Sequence, residues 1–79
     1  MLEIKKVTPE QSALLEAINA AGGQSELARK LTAIAPKAIK QQQIWNWLHR
    51  EKKAPPSKVA LIEMVTGIAR SKLRPYLYQ

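Results

Sequence analysis

The apolar residues of this chain are small, and that constrains its fold more than any other feature. Eleven of the 79 residues are Ala and none is Phe, although apolar types make up 46% of the whole. A core built from such residues is thin, and a thin core suits helix-on-helix packing, where Ala lets two backbones approach closely. A chain of this length holds one domain. It has no Cys, which excludes a disulfide framework, a thiolate metal site and a thiol nucleophile. Its single His, His49, has no second to cluster with. No apolar run approaches the roughly 18 residues of a membrane span. Met1–Val7 carries no apolar leader-like stretch. The expectation is an all-α cytoplasmic domain without metal or cofactor.

Proline and glycine divide the chain into four to five helices. Thr8-Pro9-Glu10-Gln11 reads as a helix start, with a hydroxyl at the N-cap, Pro at the first helical position and Gln completing a capping box. Ala13, Leu14, Ala17, Ile18 and Ala21 follow at helical spacing until Gly22-Gly23 stops the helix. A second helix runs from Gln24 or Ser25 to about Leu31, with Leu27, Ala28 and Leu31 inward. It must end by about Ile34, because Ala35 precedes Pro36 and is pushed from helical torsions. Ile34 and Ile39 are expected to cover the core edge.

A third helix spans about Lys40 to Arg50, with Ile44, Trp47 and Leu48 on one face and Gln42, Asn46 and His49 on the other. A fourth starts at Pro56 or Ser57, carries Val59, Ala60, Ile62, Met64 and Val65, and stops at Gly67. Ser71 to Pro75 reads as one helical turn, and residues 76–79 as a short tail with apolar Tyr76, Leu77 and Tyr78. Residues 1–7, with Leu2, Ile4 and Val7, are a strand or an extended arm.

Charge points to the partner. Thirteen Lys and Arg face six Glu, for a net charge of +7. The excess is concentrated between Arg29 and Lys58, which hold eight cations against Glu51 alone. Such a surface meets polyanions. A merely solvated basic face is the bland alternative. An anionic membrane surface would need a broad uncovered apolar helix face. Catalysis is not expected. Glu16, Glu26 and Glu63 lie on separate helices, four Ser share one His, and there is no Asp. Gly22-Gly23 is a helix stop and not a phosphate loop, so no small-molecule substrate is expected either.

The informative unit is helix two, a turn, and helix three, about residues 24–50. Ala28 midway along helix two allows a close crossing, and the outer face of helix three carries amides and aromatics ringed by Lys and Arg. That is the logic of a helix-turn-helix, whose first helix lies over phosphates and whose second enters the major groove.

At Gly22-Gly23-Gln24-Ser25-Glu26-Leu27-Ala28-Arg29 and Ile44-Trp45-Asn46-Trp47-Leu48, the sequence resembles the Cro/CI-type, lambda-repressor-like DNA-binding proteins. Within them it is most similar to the YdaS-type branch of phage regulators and antitoxins. Ile62-Glu63, Thr66-Gly67 and Leu73-Arg74-Pro75 resemble later segments of that branch, so the likeness covers about residues 10–78. It departs from the group at Thr32, where Gly is usual, and at Tyr76, where Asp is common. Its turn before helix three is also about six residues longer than the three to four of the minimal motif.

The resemblance implies base contacts from Gln41, Gln42, Trp45, Asn46 and His49. It implies phosphate contacts from Gln24, Ser25, Gln43, Arg50, Lys52 and Lys53. Gln and Asn side chains can pair with adenine N6 and N7, whereas Lys and Arg neutralise phosphates without choosing sequence. Each residue also has a structural alternative. Gln41 to Gln43 are ordinary helix formers, Gln24 and Ser25 simply start a helix, and His49 is a common surface residue. Trp45 either meets a thymine methyl or a sugar, or packs on the long turn. Arg70, Lys72 and Arg74 read as solvated or dimer-edge charges.

One such module buries only about 600–1,000 Å² on DNA, so a homodimer on a palindromic double-stranded operator is expected. A toxin or another protein is the alternative partner, met by Met64 and the apolar tail.

Overall fold

The computed structural model describes residues 7–78. Helix α1 is Pro9–Ala21, α2 is Gln24–Ile34 and α3 is Gln41–Asn46, which continues into a π turn at Trp47–Glu51. Helix α4 is Pro56–Thr66 and α5 is Arg70–Leu73. The fold is all-α, with no strand among the described residues. Of the proposed N-terminal strand or arm, only Val7 lies within the described residues, and it is exposed.

The first helix begins as its sequence requires. The Thr8 hydroxyl accepts the Gln11 N–H at 3.0 Å. The reciprocal half of the capping box is absent, because the Gln11 side chain reaches across the core and donates to the Leu48 carbonyl at 3.0 Å. At the other end, Gly22 N–H bonds to Asn19 O at 3.1 Å and Gly23 N–H to Ile18 O at 2.9 Å. This paired closure needs a left-handed residue, and Gly22 supplies it at φ 104°. Gly23 follows at φ 120°, another region open to Gly alone, and becomes the N-cap of α2. Two successive positive-φ residues turn the chain sharply between α1 and α2.

Helix α2 is longer than its apolar stripe indicates. Thr32, Ala33 and Ile34 form its last turn, so the connection to α3 is residues 35–40 and not the longer one expected. Ala35 ends the helix in an extended conformation at φ −88°, ψ 153°, as the following Pro36 demands. Ile39 is buried, but Ile34 is 40% exposed and does not cover the core edge. The Thr32 hydroxyl closes this turn, accepting the Ile39 N–H at 2.9 Å and donating to the Ile39 carbonyl at 3.0 Å.

Leu14, Leu27, Leu31, Ile44, Val59, Ile62 and Leu73 are completely buried and come from α1 through α5, so every helix contributes to one core. Each such aliphatic side chain stabilises the fold by roughly 1.5–3 kcal/mol. Val59 and Ile62 are the buried pair on α4, whereas Met64, expected to be carried with them, is 71% exposed. The Thr66 hydroxyl donates to Ile62 O at 2.7 Å and accepts from Ile68 N–H at 3.1 Å, which fixes the exit from α4.

The C-terminal cations each find a partner within the chain, Arg70 and Lys72 while remaining exposed. Arg74 Nη1 donates to the Ala54 carbonyl at 2.9 Å and is half-buried, so it is not a wholly solvated charge. Arg70 pairs with Glu63 at 2.7 Å and lies 5.6 Å from the Tyr78 ring centroid. Lys72 pairs with Glu16 at 2.8 Å.

Candidate nucleic-acid interface

Helix α3 turns Ile44, Trp47 and Leu48 into the core, as their spacing predicts. Its first turn is closed by Gln43, whose Oε1 accepts the Lys40 N–H at 2.8 Å. That leaves Gln43 half-buried with its carboxamide oxygen occupied. Gln41, Gln42 and Trp45 are exposed on the outer side. They share one open concavity of about 460 Å³ with Gln24, the first residue of α2. Ala28 is buried midway along α2, and the start of α2 lies beside α3 at this concavity.

The α2 N-terminus has free hydrogen-bonding capacity. Its N-cap is Gly23, and among the described residues no side chain caps the first backbone N–H groups. Ser25, the second residue of the helix, is exposed. Glu26 accepts both Nε and Nη2 of Arg29, at 3.1 and 2.6 Å. The hydrogen bond to Arg29 and its charge hold the Glu26 carboxyl below the usual range, and the same bond raises Arg29. Lys30 Nζ donates to the Ala21 carbonyl at 3.1 Å, placing a cation at the negative end of α1.

The π turn redistributes the rest of the expected reading face. In a continuous α-helix, Gln42, Asn46 and His49 share one face. A π turn advances the helix by a smaller angle per residue, so His49 falls back toward Trp45. The two rings pack as a tilted pair, with centroids 4.7 Å apart and planes inclined by 39°. Asn46 is half-buried, and its Oδ1 is sealed from solvent without a hydrogen-bond partner among the described residues. A two-bond adenine contact needs the carboxamide oxygen and nitrogen together, so Asn46 in this rotamer cannot make one. The groove therefore collects Gln41, Gln42 and Trp45 from the predicted base contacts, sets His49 behind Trp45, and turns Asn46 inward.

The predicted phosphate contacts divide similarly. Gln24 lies in the groove, and Arg50 is exposed on the π turn. Lys52 and Lys53 line a separate concavity of about 280 Å³ with Thr8, Glu10 and Glu51, whose two carboxylates weaken its pull on an anion. Lys52 ends the π turn in the left-handed region at φ 61°. Among the described residues, Lys37, Lys40, Arg50, Lys52, Lys53 and Lys58 join no ion pair, since the pairs present use Arg29, Arg70 and Lys72.

Three contributors escaped the sequence reading. Lys40 is exposed at the N-cap of α3, directly before the glutamine run, and its charge beside those amides was the available signal. Gln11 holds the π turn through Leu48 O, and Thr32 holds the start of α3 through Ile39. The Gln11 bond spans 37 residues and leaves no local sequence signature.

No significant match is found among curated proteins or among solved structures. A family model described as bacterial toxin YdaS matches residues 14–79. The matched span runs from within α1 through α2, the groove-forming α3, the π turn, α4 and α5, so this chain belongs to the bacterial toxin YdaS family.

Proposed function

We propose that this protein is a sequence-specific regulator that binds double-stranded DNA as a helix-turn-helix of the Cro/CI type. In this reading α2 lies across phosphates, α3 enters the major groove, and the protein acts in the cytoplasm without catalysis, cofactor or small-molecule substrate. The observation that carries it is the shared groove, in which Gln41, Gln42 and Trp45 of α3 stand beside Gln24 at the uncapped start of α2. Uncapped N–H groups at a helix start favour an anion, and carboxamides match base edges. Lys40 and Arg50, which join no ion pair among the described residues, flank the reading segment at its two ends. A homodimer on a palindromic operator supplies the area that one module lacks.

A mobility-shift titration against specific and scrambled duplexes at several salt concentrations tests the proposal. Gln42→Ala relaxes preference at one base position and leaves the salt slope unchanged. Lys52→Ala weakens all duplexes alike and lowers the slope by about 0.9. Unchanged base preference in Gln42→Ala sinks the proposed orientation of α3.

A second reading, a toxin–antitoxin component that binds another protein, is favoured by three exposed apolar residues. Met64 is 71% exposed, Tyr76 81% and Leu77 50%. The family description as a bacterial toxin fits this reading too. Capture of one defined partner that survives high salt and is lost in Tyr76→Ser supports it.

A further inference from the structure

We propose that the Trp45 indole, braced by the His49 ring packed against it, reads the 5-methyl group of a thymine in the major groove. The inference rests on the reading of α3 as the groove-entering segment and names the base that segment selects.

Two observations point to thymine. The indole is 42% exposed and opens on the same concavity as the carboxamides of Gln24, Gln41 and Gln42. Among the described residues no Lys or Arg lines that concavity, whereas the commonest contact to guanine is a cation on O6 and N7. What remains is an apolar plate among carboxamides. The carboxamides match adenine N6 and N7, and the 5-methyl of thymine is the apolar group that a base edge offers an indole in the major groove.

His49 acts through Trp45 and is a positioning residue. Its ring lies 4.7 Å from the indole, on the side reached by the π turn. An exposed Trp side chain otherwise moves among rotamers. The contact holds the plate in one orientation and reduces the ordering cost when a base edge meets it.

The test begins with selection of bound duplexes from a pool with a randomised central segment, using the full chain. The enriched duplex is then remade with deoxyuridine in place of each thymine in turn, which deletes only the methyl group. At one position the unaltered protein loses about fourfold in affinity, the effect of one buried methyl. Trp45→Ala binds thymine and uracil duplexes equally and keeps its salt slope. His49→Ala shrinks the discrimination, and His49→Phe, which preserves an aromatic plate, restores it. The deoxyuridine arm uses the unaltered protein, so it does not depend on the folding of any variant. Equal binding of every uracil duplex by the unaltered protein, or persistent discrimination in Trp45→Ala, overturns the inference and leaves the DNA-binding reading standing. Failure to enrich any duplex overturns the DNA-binding reading, and this inference with it.

Discussion

Thr32 shows how one residue accommodates a changed connection. The resembled regulators usually carry Gly there, directly after helix two. Here the helix continues to Ile34 and the chain must return over residues 35–40. The Thr32 hydroxyl meets both backbone polar groups of Ile39, immediately before the N-cap of α3. Thr32→Val keeps the shape and leaves both groups without that partner. It should destabilise the fold by about 1–2 kcal/mol, read as a lower urea midpoint with an unchanged slope, while Thr32→Ser stays near the parent. Asn46 marks the opposite situation. Its Oδ1 is closed off from solvent and has no hydrogen-bond partner among the described residues. Its helical spacing with Gln42 concealed this, because spacing assigns a direction and says nothing about the neighbours that close over an atom.

Among the elements, the π turn has the largest consequence. Trp47–Glu51 moves His49 toward Trp45 and delivers the chain to Lys52 at φ 61°, where both Lys52 and Lys53 N–H groups close on the Trp47 carbonyl. A side chain with a Cβ is strained there. Lys52→Gly should therefore stabilise the protein by about 0.5–1 kcal/mol, measurable as a higher midpoint in thermal or urea unfolding. On the proposed reading it also removes a phosphate contact. A variant that gains stability while losing affinity for all duplexes separates the two roles of this residue. The Gln11 amide meets the same turn from α1, so the orientation of α3 and its π turn depends on a helix outside the candidate interface.

Across the whole molecule, charge and packing are arranged on different surfaces. Cations of the C-terminal region are committed to Glu16, Glu63 and the Ala54 carbonyl. Those around α3 join no ion pair among the described residues, and remain available to an anion. No helix among the described residues is long and apolar enough to cross a membrane. The proposed homodimer makes a geometric prediction. Duplexes with half-sites about one helical turn, roughly 10–10.5 base pairs, apart should bind as a single cooperative step. Inserting about five base pairs puts the half-sites on opposite faces of the duplex and should abolish that cooperativity in a mobility-shift titration. Unchanged cooperativity would show that the two copies do not pair through a fixed interface.

The residues by themselves determined the all-α class, the ends of α1 at Thr8 and Gly22, the closure of α4 at Gly67, and the burial of Ile44, Trp47 and Leu48. These follow from torsions and periodicity, which act over a few neighbouring positions. Tertiary structure decided where Gln11 and Arg74 spend their donors, that Asn46 turns inward, that Ile34 stays exposed, and that His49 packs on Trp45. Gln11 and Leu48, like Ala54 and Arg74, are far apart in the chain. Their pairing depends on the angles at which helices cross and on one widened turn, and neither of these is encoded in a local pattern of residue types.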